Sequence, residues 1–174
     1  MRDKVKIKAF NLLSINEFKY SNDIDVLIPT IGRKEPLYNF LKNLSKQSIL
    51  PKSVIIIEQN PIKDAGSELD YLVNESWPFQ IKHQLIYQLG ACNARNLALK
   101  EIVSDWVFFA DDDIEIKSDF LEKCLENAKK YKQQVFSLSC LLRNEKKYFT
   151  TCFQWVTFGT CSSFVNINAV KNLE

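Results

Sequence analysis

Val54-Ile-Ile-Ile57 is a run of four β-branched residues with no polar residue between them. A strand exposed on one face alternates apolar with polar residues, whereas an unbroken β-branched run suits a parallel strand covered on both faces. Parallel strands need crossover connections, usually helices, and the flanking sequence offers them. Before the run, Ile24-Asp-Val-Leu-Ile-Pro29 reads as a short strand stopped by proline. Pro36 then sits where the first turn of a helix accepts it, and Leu37, Phe40, Leu41 and Leu44 follow at helical spacing. After the run, Lys63 to Glu75 is expected to be helical through Leu69, Leu72 and Val73, and Phe79 to Tyr87 alternates as a strand. Gly90 opens a helix to about Ile102, with Ala91, Ala94 and Ala98 as a small-residue face that can pack close to a sheet.

Trp106 to Ala110 forms the next apolar strand, and Ser118 is placed to cap a helix carrying Phe120, Leu121, Cys124, Leu125 and Ala128. Strand and helix alternate throughout, so the fold class expected is α/β, a Rossmann-like, mainly parallel central sheet flanked by helices. Beyond Gln133 the order changes. Val135 to Leu142, Tyr148 to Phe153 and Cys161 to Val165 read as strands, giving a mixed or antiparallel C-terminal part with a short helix from Asn168.

The chain has 174 residues and 46% hydrophobic content, enough for one packed domain and too little for two ordinary ones. The expected division is a polar lead-in over residues 1–23 and a single domain over 24–174. A net charge of +2, from 23 basic and 21 acidic residues scattered along the chain, argues against nucleic-acid binding. Five cysteines, at positions 92, 124, 140, 152 and 161, lack Cys-x-x-Cys spacing and are expected as reduced thiols, which suits a cytoplasmic protein. No stretch reaches the roughly eighteen apolar residues of a membrane span.

In an open α/β sheet, ligands bind where loops leave the carboxyl ends of the strands, so those loops hold the candidate chemistry. Pro29-Thr-Ile-Gly-Arg33 offers a hydroxyl, backbone amides and a guanidinium just ahead of a helix. Glu58-Gln59-Asn60 could hydrogen-bond a base or ribose, and the segment 90–96 brings Asn93 and Arg95. The last strand ends in Asp111, Asp112 and Asp113, like charges that need full solvation or a cation to offset their repulsion. Each loop alone has an ordinary explanation: a capping threonine and surface arginine, a turn, an arginine paired with a structural carboxylate, a solvated acidic turn. Together they suit a metal-bridged nucleoside diphosphate. No Gly-x-x-x-x-Gly-Lys-Ser/Thr loop or Gly-x-Gly-x-x-Gly fingerprint competes, and His83, the one histidine, is expected to be structural and distant from these loops.

The runs Asp25-Val-Leu-Ile-Pro-Thr-Ile-Gly-Arg33, Lys46-Gln47-Ser48 with Pro51, Val54-Ile-Ile-Ile-Glu58, Gly90-Ala-Cys-Asn-Ala-Arg-Asn96 and Phe109-Ala-Asp-Asp-Asp113 resemble, in order and spacing, the motifs of family 2 glycosyltransferases over about residues 24 to 170. The resemblance implies a GT-A fold, a nucleotide-sugar donor, taken as a UDP-sugar, a divalent Mn or Mg ion at an Asp-x-Asp motif, and inversion at the anomeric carbon. It implies a glycan or lipid-linked acceptor and allows peripheral membrane association. Pro29, Thr30, Arg33, Glu58, Gln59, Asn93, Arg95 and Asp111 are then expected at the donor, with Asp112 and Asp113 at the metal. Read literally, Asp111 and Asp113 form the Asp-x-Asp pair; aligned on the preceding Phe109-Ala110, Asp112 is the direct ligand. Glu58-Gln59 stands where the family commonly has Asp-Asp, which leaves the nucleotide open. The family's catalytic base comes after a segment that residues 158–168 resemble, so it is expected beyond Glu174. The alternatives are a non-catalytic nucleotide- or glycan-binding module and, with a poor match at Ile31-Gly-Arg-Lys34, a sugar-phosphate nucleotidyltransferase.

Overall fold

The computed structural model describes residues 23–131, 135–137 and 162–170. Its elements in chain order are β1 (Ile24–Ile31), α1 (Lys34–Leu44), β2 (Ser53–Gln59), α2 (Tyr71–Asn74), β3 (Gln80–Ile86), α3 (Ala91–Leu99), β4 (Trp106–Ala110), α4 (Phe120–Tyr131), β5 (Val135–Ser137), β6 (Ser162–Asn166) and α5 (Ile167–Val170). Six strands form one sheet in the order β3-β2-β1-β4-β6-β5. β1 to β4 are parallel, and β6 runs antiparallel to both β4 and β5. The mainly parallel sheet with an antiparallel C-terminal part is therefore as expected.

The β-branched run explains the centre of this sheet. Every residue of β2 is buried, because one face meets α1 and the other meets α3. Ile24, Val26, Ile28, Val54, Ile56, Trp106, Phe108 and Phe164 pack with Leu37, Phe40, Leu41 and Leu44 of α1 and with α4. Leu27, Ile55, Ile57, Val107 and Phe109 meet Ala94 and Ala98. Fully burying side chains of this size contributes about 1.5–3 kcal/mol each. Ala94 and Ala98 are the tightly packed part of the small-residue face; Ala91 is exposed.

Several expectations need correction. Pro29 does not stop β1, which runs on to Ile31. β4 pairs with β1 only as far as Leu27 opposite Phe109, so Pro29 lies where β1 has lost one neighbour, a setting that tolerates the missing N–H. Lys63 to Glu75 is helical only over Tyr71–Asn74. Asp64 takes the left-handed conformation at φ 66°, and the Glu58 carboxylate captures Ser67 and the Glu68 amide, which hold the segment irregular. α3 ends at Leu99, before Ile102. α4 starts at Phe120 after Asp119, whose carbonyl accepts from the Lys123 amide; Ser118 instead accepts from the Ser48 amide. The Tyr148 to Phe153 strand and most of Val135 to Leu142 lie outside the described residues, as do Cys140, Cys152 and Cys161. Cys92 is exposed and Cys124 buried, both as free thiols, and burial pushes the Cys124 thiol up to about 12.

Candidate functional site

The chain lays down β1, moves outward through β2 and β3, and then returns to place β4 on the other side of β1. The strand order reverses between β1 and β4, and that reversal opens a crevice at their carboxyl ends. Thr30 and Arg33 leave β1 there, and Asp111 to Asp113 leave β4. Gly32, at φ 58°, makes the left-handed turn that brings Arg33 to the start of α1.

Thr30 Oγ1 donates to Asp112 Oδ2 at 2.6 Å, and the Arg33 guanidinium donates to Asp112 Oδ1 at 3.1 Å. Asp112 is only 5% exposed, so both of its oxygens are fixed from the β1 side. Arg33 also bridges to Asp113 Oδ2 at 2.5 Å, where both side chains are half exposed. The two carboxylates, Asp112 first, hold the Arg33 guanidinium more firmly charged than usual. On the other flank, Arg95 of α3 donates to Asp111 Oδ1 at 3.2 Å. Arg95 Nε is buried and has no hydrogen-bond partner among the described residues.

Two guanidinium groups thus face three carboxylates, and the pKa of Asp111 is raised, chiefly by burial. Burial raises its pKa; Arg95 pulls the other way, but Asp113 and Asp112 add to the rise. A carboxyl group that resists ionisation in this way favours any cation brought close to it. Among the described residues no three His, Cys, Asp or Glu side chains converge as a ready cation cage. Hard oxygen donors from one or two carboxylates, completed by water and substrate phosphates, are nonetheless the usual setting for Mg²⁺. By donor chemistry, Asp111, Asp112 and Asp113 fit such an ion.

The second and third loops are built differently. Thr30 and Ile31 stand opposite Glu58 and Gln59 in the β1–β2 register, so these four residues lie side by side. Gln59 Oε1 accepts the Gly90 amide at 2.7 Å, tying β2 to the start of α3. Gly90 adopts φ 142°, a conformation open to glycine, and Asn93 follows half-buried in the first turn of the helix. Glu58 is 4% exposed and already engaged: the Glu68 amide donates to Oε1 at 3.0 Å, and Ser67 Oγ donates to Oε2 at 2.5 Å. His83 Nε2 lies 2.8 Å from the same Oε2. His83 therefore belongs to this end of the site and is not distant from the polar loops. Nearby, Tyr71 donates its hydroxyl to the Lys34 carbonyl at 3.0 Å, and burial, with the charges of Glu58, Asp70 and Asp112, keeps its pKa raised.

Thr30, Arg33, Arg95, Asp111, Asp112 and Asp113 thus come together at the β1–β4 switch. Pro29 pairs with Ile57 inside the β1–β2 ladder, and Glu58 and Gln59 lie at the strand ends with their acceptors turned to the chain itself. The sequence reading missed Ser67, held from the irregular segment after β2 by the Glu58 carboxylate, and His83, whose contact depends on the β2–β3 register. It also missed Asp25, which sits at the amino end of β1. A charge inside the otherwise apolar run Ile24 to Ile28 was the available signal for that residue.

An acidic cluster at the strand switch of a parallel sheet stands where open α/β proteins bind their ligands. The description "Glycosyl transferase family 2" matches residues 25–162, and the chain belongs to this family. Its fold is GT-A. A curated relative, the GalNAc(5)-diNAcBac-PP-undecaprenol beta-1,3-glucosyltransferase of Campylobacter jejuni, is 25% identical over 122 residues, which are 70% of this chain and 39% of the relative. S. aureus TarS 1-349 superposes with a TM-score of 0.67 at 17% identity, covering 87% of this chain and 49% of that one. The mannosyltransferase PcManGT from Pyrobaculum calidifontis, in complex with GDP-Man and Mn2+, superposes with a TM-score of 0.56 at 19% identity, covering 69% and 35%. The chain spans less than half the length of each of these proteins.

Proposed function

We propose that this chain forms the donor-binding part of a metal-dependent, inverting glycosyltransferase that passes a sugar from a UDP-sugar to a glycan or lipid-linked acceptor. The observation that supports it most is the junction of Thr30 and Arg33 with Asp112 across the β1–β4 switch, beside an Asp111 that favours a cation. TarS 1-349 is known in complex with UDP and with UDP-GlcNAc, PcManGT with GDP-Man and Mn2+, and the Campylobacter relative is named for an undecaprenol diphosphate-linked acceptor; these names support the donor, metal and acceptor classes. We take residues 24–174 as one unit of this enzyme, 1–23 as its lead-in, and the cytoplasmic face of a membrane, peripherally reached, as its setting.

In this reading Asp112, with Asp113 beside it, holds a Mn or Mg ion, and Asp111 turns to the donor. The ion, when bound, supplies positive charge for the departing nucleoside diphosphate. Arg33 and Arg95 stand on either side of the carboxylates, so each can swing a guanidinium from its aspartate to a phosphate oxygen. Thr30 fixes the Asp112 carboxylate, Glu58 and Gln59 border the base and ribose, and the Asn93 amide lies near the start of α3. The reaction is a direct displacement at the anomeric carbon by an acceptor hydroxyl. The chain contributes positioning and charge to it.

The test is thermal stabilisation by UDP and GDP with manganese and with chelator. Binding to the folded state alone raises the melting temperature. Equal stabilisation in chelator and in manganese would remove the metal from the reading. Nucleotide binding with no transfer by any length of the protein would leave a binding module in its place.

A further inference from the structure

We propose that His83 is a positioning residue for the nucleoside end of the site, acting through Glu58; the proposal rests on the donor-binding reading above. Among the described residues β3 is an edge strand of the sheet, and the parallel register sets His83 opposite Ile56, two residues short of Glu58 on β2. The imidazole reaches forward along the sheet to close the gap, placing Nε2 2.8 Å from Oε2. Its side chain remains 23% exposed, whereas that of Glu58 is 5% exposed, so the ring forms part of the cover over the carboxylate.

The hydrogen-bond inventory fixes the roles. A carboxylate accepts at about four lone-pair positions and donates nothing, so the ring nitrogen facing it must bear the proton. Oε2 then accepts from His83 and from Ser67 Oγ, and Oε1 accepts from the Glu68 amide. Three positions are filled from β3 and from the irregular segment after β2. Among the described residues one position on Oε1 remains, and a ligand group that takes it must bring a hydrogen: an N–H of a base or a hydroxyl of ribose. His83 and Ser67 together set the angle at which that last position is presented. Without the imidazole, Oε2 keeps one partner, Ser67, and the carboxylate can turn.

The effect is local to the nucleoside. Arg33, Arg95 and the three aspartates sit at the β1–β4 switch and do not bond Glu58, Ser67 or His83. The closing experiment measures affinities of the wild type, H83L and H83Q for UDP, GDP, uridine, guanosine and inorganic pyrophosphate, all with manganese. H83L keeps bulk and removes the donor, and H83Q returns an N–H at similar reach. H83L should bind the preferred nucleotide and its nucleoside about tenfold more weakly, the size of one hydrogen bond to a charged group. Pyrophosphate affinity should stay unchanged, and H83Q should recover most of the loss. Unchanged nucleoside affinity in H83L, an equal loss for pyrophosphate, or an H83Q as weak as H83L would each overturn the proposal. A wild type that binds none of these ligands overturns the donor-binding reading instead, and does so before any variant is made. Nitrogen NMR of the His83 ring in the unliganded wild type tests the geometry without a variant: an Nε2 bearing a proton is expected, and a bare Nε2 sinks the proposal.

Discussion

A single carboxylate, Asp25, and the cluster Asp111 to Asp113 lie at opposite ends of the same sheet and are treated in opposite ways. At the amino end, Asp25 is fully buried, yet Ser53 Oγ donates to it at 2.6 Å, Ser104 Oγ at 2.9 Å, and the Val103 and Ser104 amides at 2.9 and 3.0 Å. Burial alone would raise its pKa, but these four donors outweigh it and the net shift is downward. At the carboxyl end, Asp111 is only partly buried and even has an arginine partner, yet its pKa is raised. Asp25 shows what a carboxylate looks like when the chain has completed its environment. Asp111 shows one whose surroundings, among the described residues, still disfavour its charged form.

That contrast can be broken from either end. The largest effect is expected at Asp25: Asp25→Ala strands several buried donors at about 1–3 kcal/mol each, so chemical denaturation should show a loss of about 3 kcal/mol or more. Nucleotide affinity of the fraction still folded should hardly change. Asp112→Ala should do the reverse. Its fold should survive, while the manganese-dependent stabilisation by a nucleoside diphosphate, about 2.7 kcal/mol at a hundredfold excess over Kd, disappears. A calorimetric scan in which Asp112→Ala is already badly destabilised without ligand would erase the distinction between the two ends.

Acid sharpens the comparison further. The folded-state pKa of Asp25 is depressed, so its contribution is present above the ordinary carboxylate range and is lost as pH falls through the depressed value. Asp25→Asn should therefore flatten the acid limb of a stability-against-pH curve, and an unchanged limb would mean other groups control it. Asp111 has the opposite sign: the folded state holds its proton more tightly than the unfolded chain, so ionising it costs stability as pH rises through and just above the carboxylate range. The smallest effect follows. Asp111→Asn should leave the melting temperature at neutral pH unchanged or slightly higher, and a clear drop would show that the Arg95 pair outweighs the repulsion.

Much of this architecture was legible because burial on both faces writes itself into composition. The runs 24–28, 54–57 and 106–110 could hardly be anything but central strands, and placing Asp111 to Asp113 after the last of them put the acidic cluster at the correct edge. The segment after β2 was not legible. Leu69, Leu72 and Val73 have helical spacing, but a side chain from another element, Glu58, fixes the backbone at Ser67 and Glu68. His83 was missed for a related reason, since nothing local in Lys82-His83-Gln84 announces that parallel pairing will set the ring beside a glutamate 25 residues earlier. Asp25 reads locally as part of a strand, although a lone charge in such a run asks for partners, and these come from more distant segments, Ser53 on β2 and the return of the chain at Val103 and Ser104.

The bond between Thr30 and Asp112 spans 82 residues of chain, and the Arg33–Asp113 bridge spans 80. Contacts of that separation are entropically the most expensive to close and form late unless other pairings bring their ends together first. Here the pairings are β1 with β2 and β2 with β3, which must leave one side of β1 open for β4. In kinetic terms the crevice is a clock. Capture of a nucleotide during refolding would mark the moment β4 docks against β1, making ligand binding a direct signal for the last long-range step in building the parallel sheet.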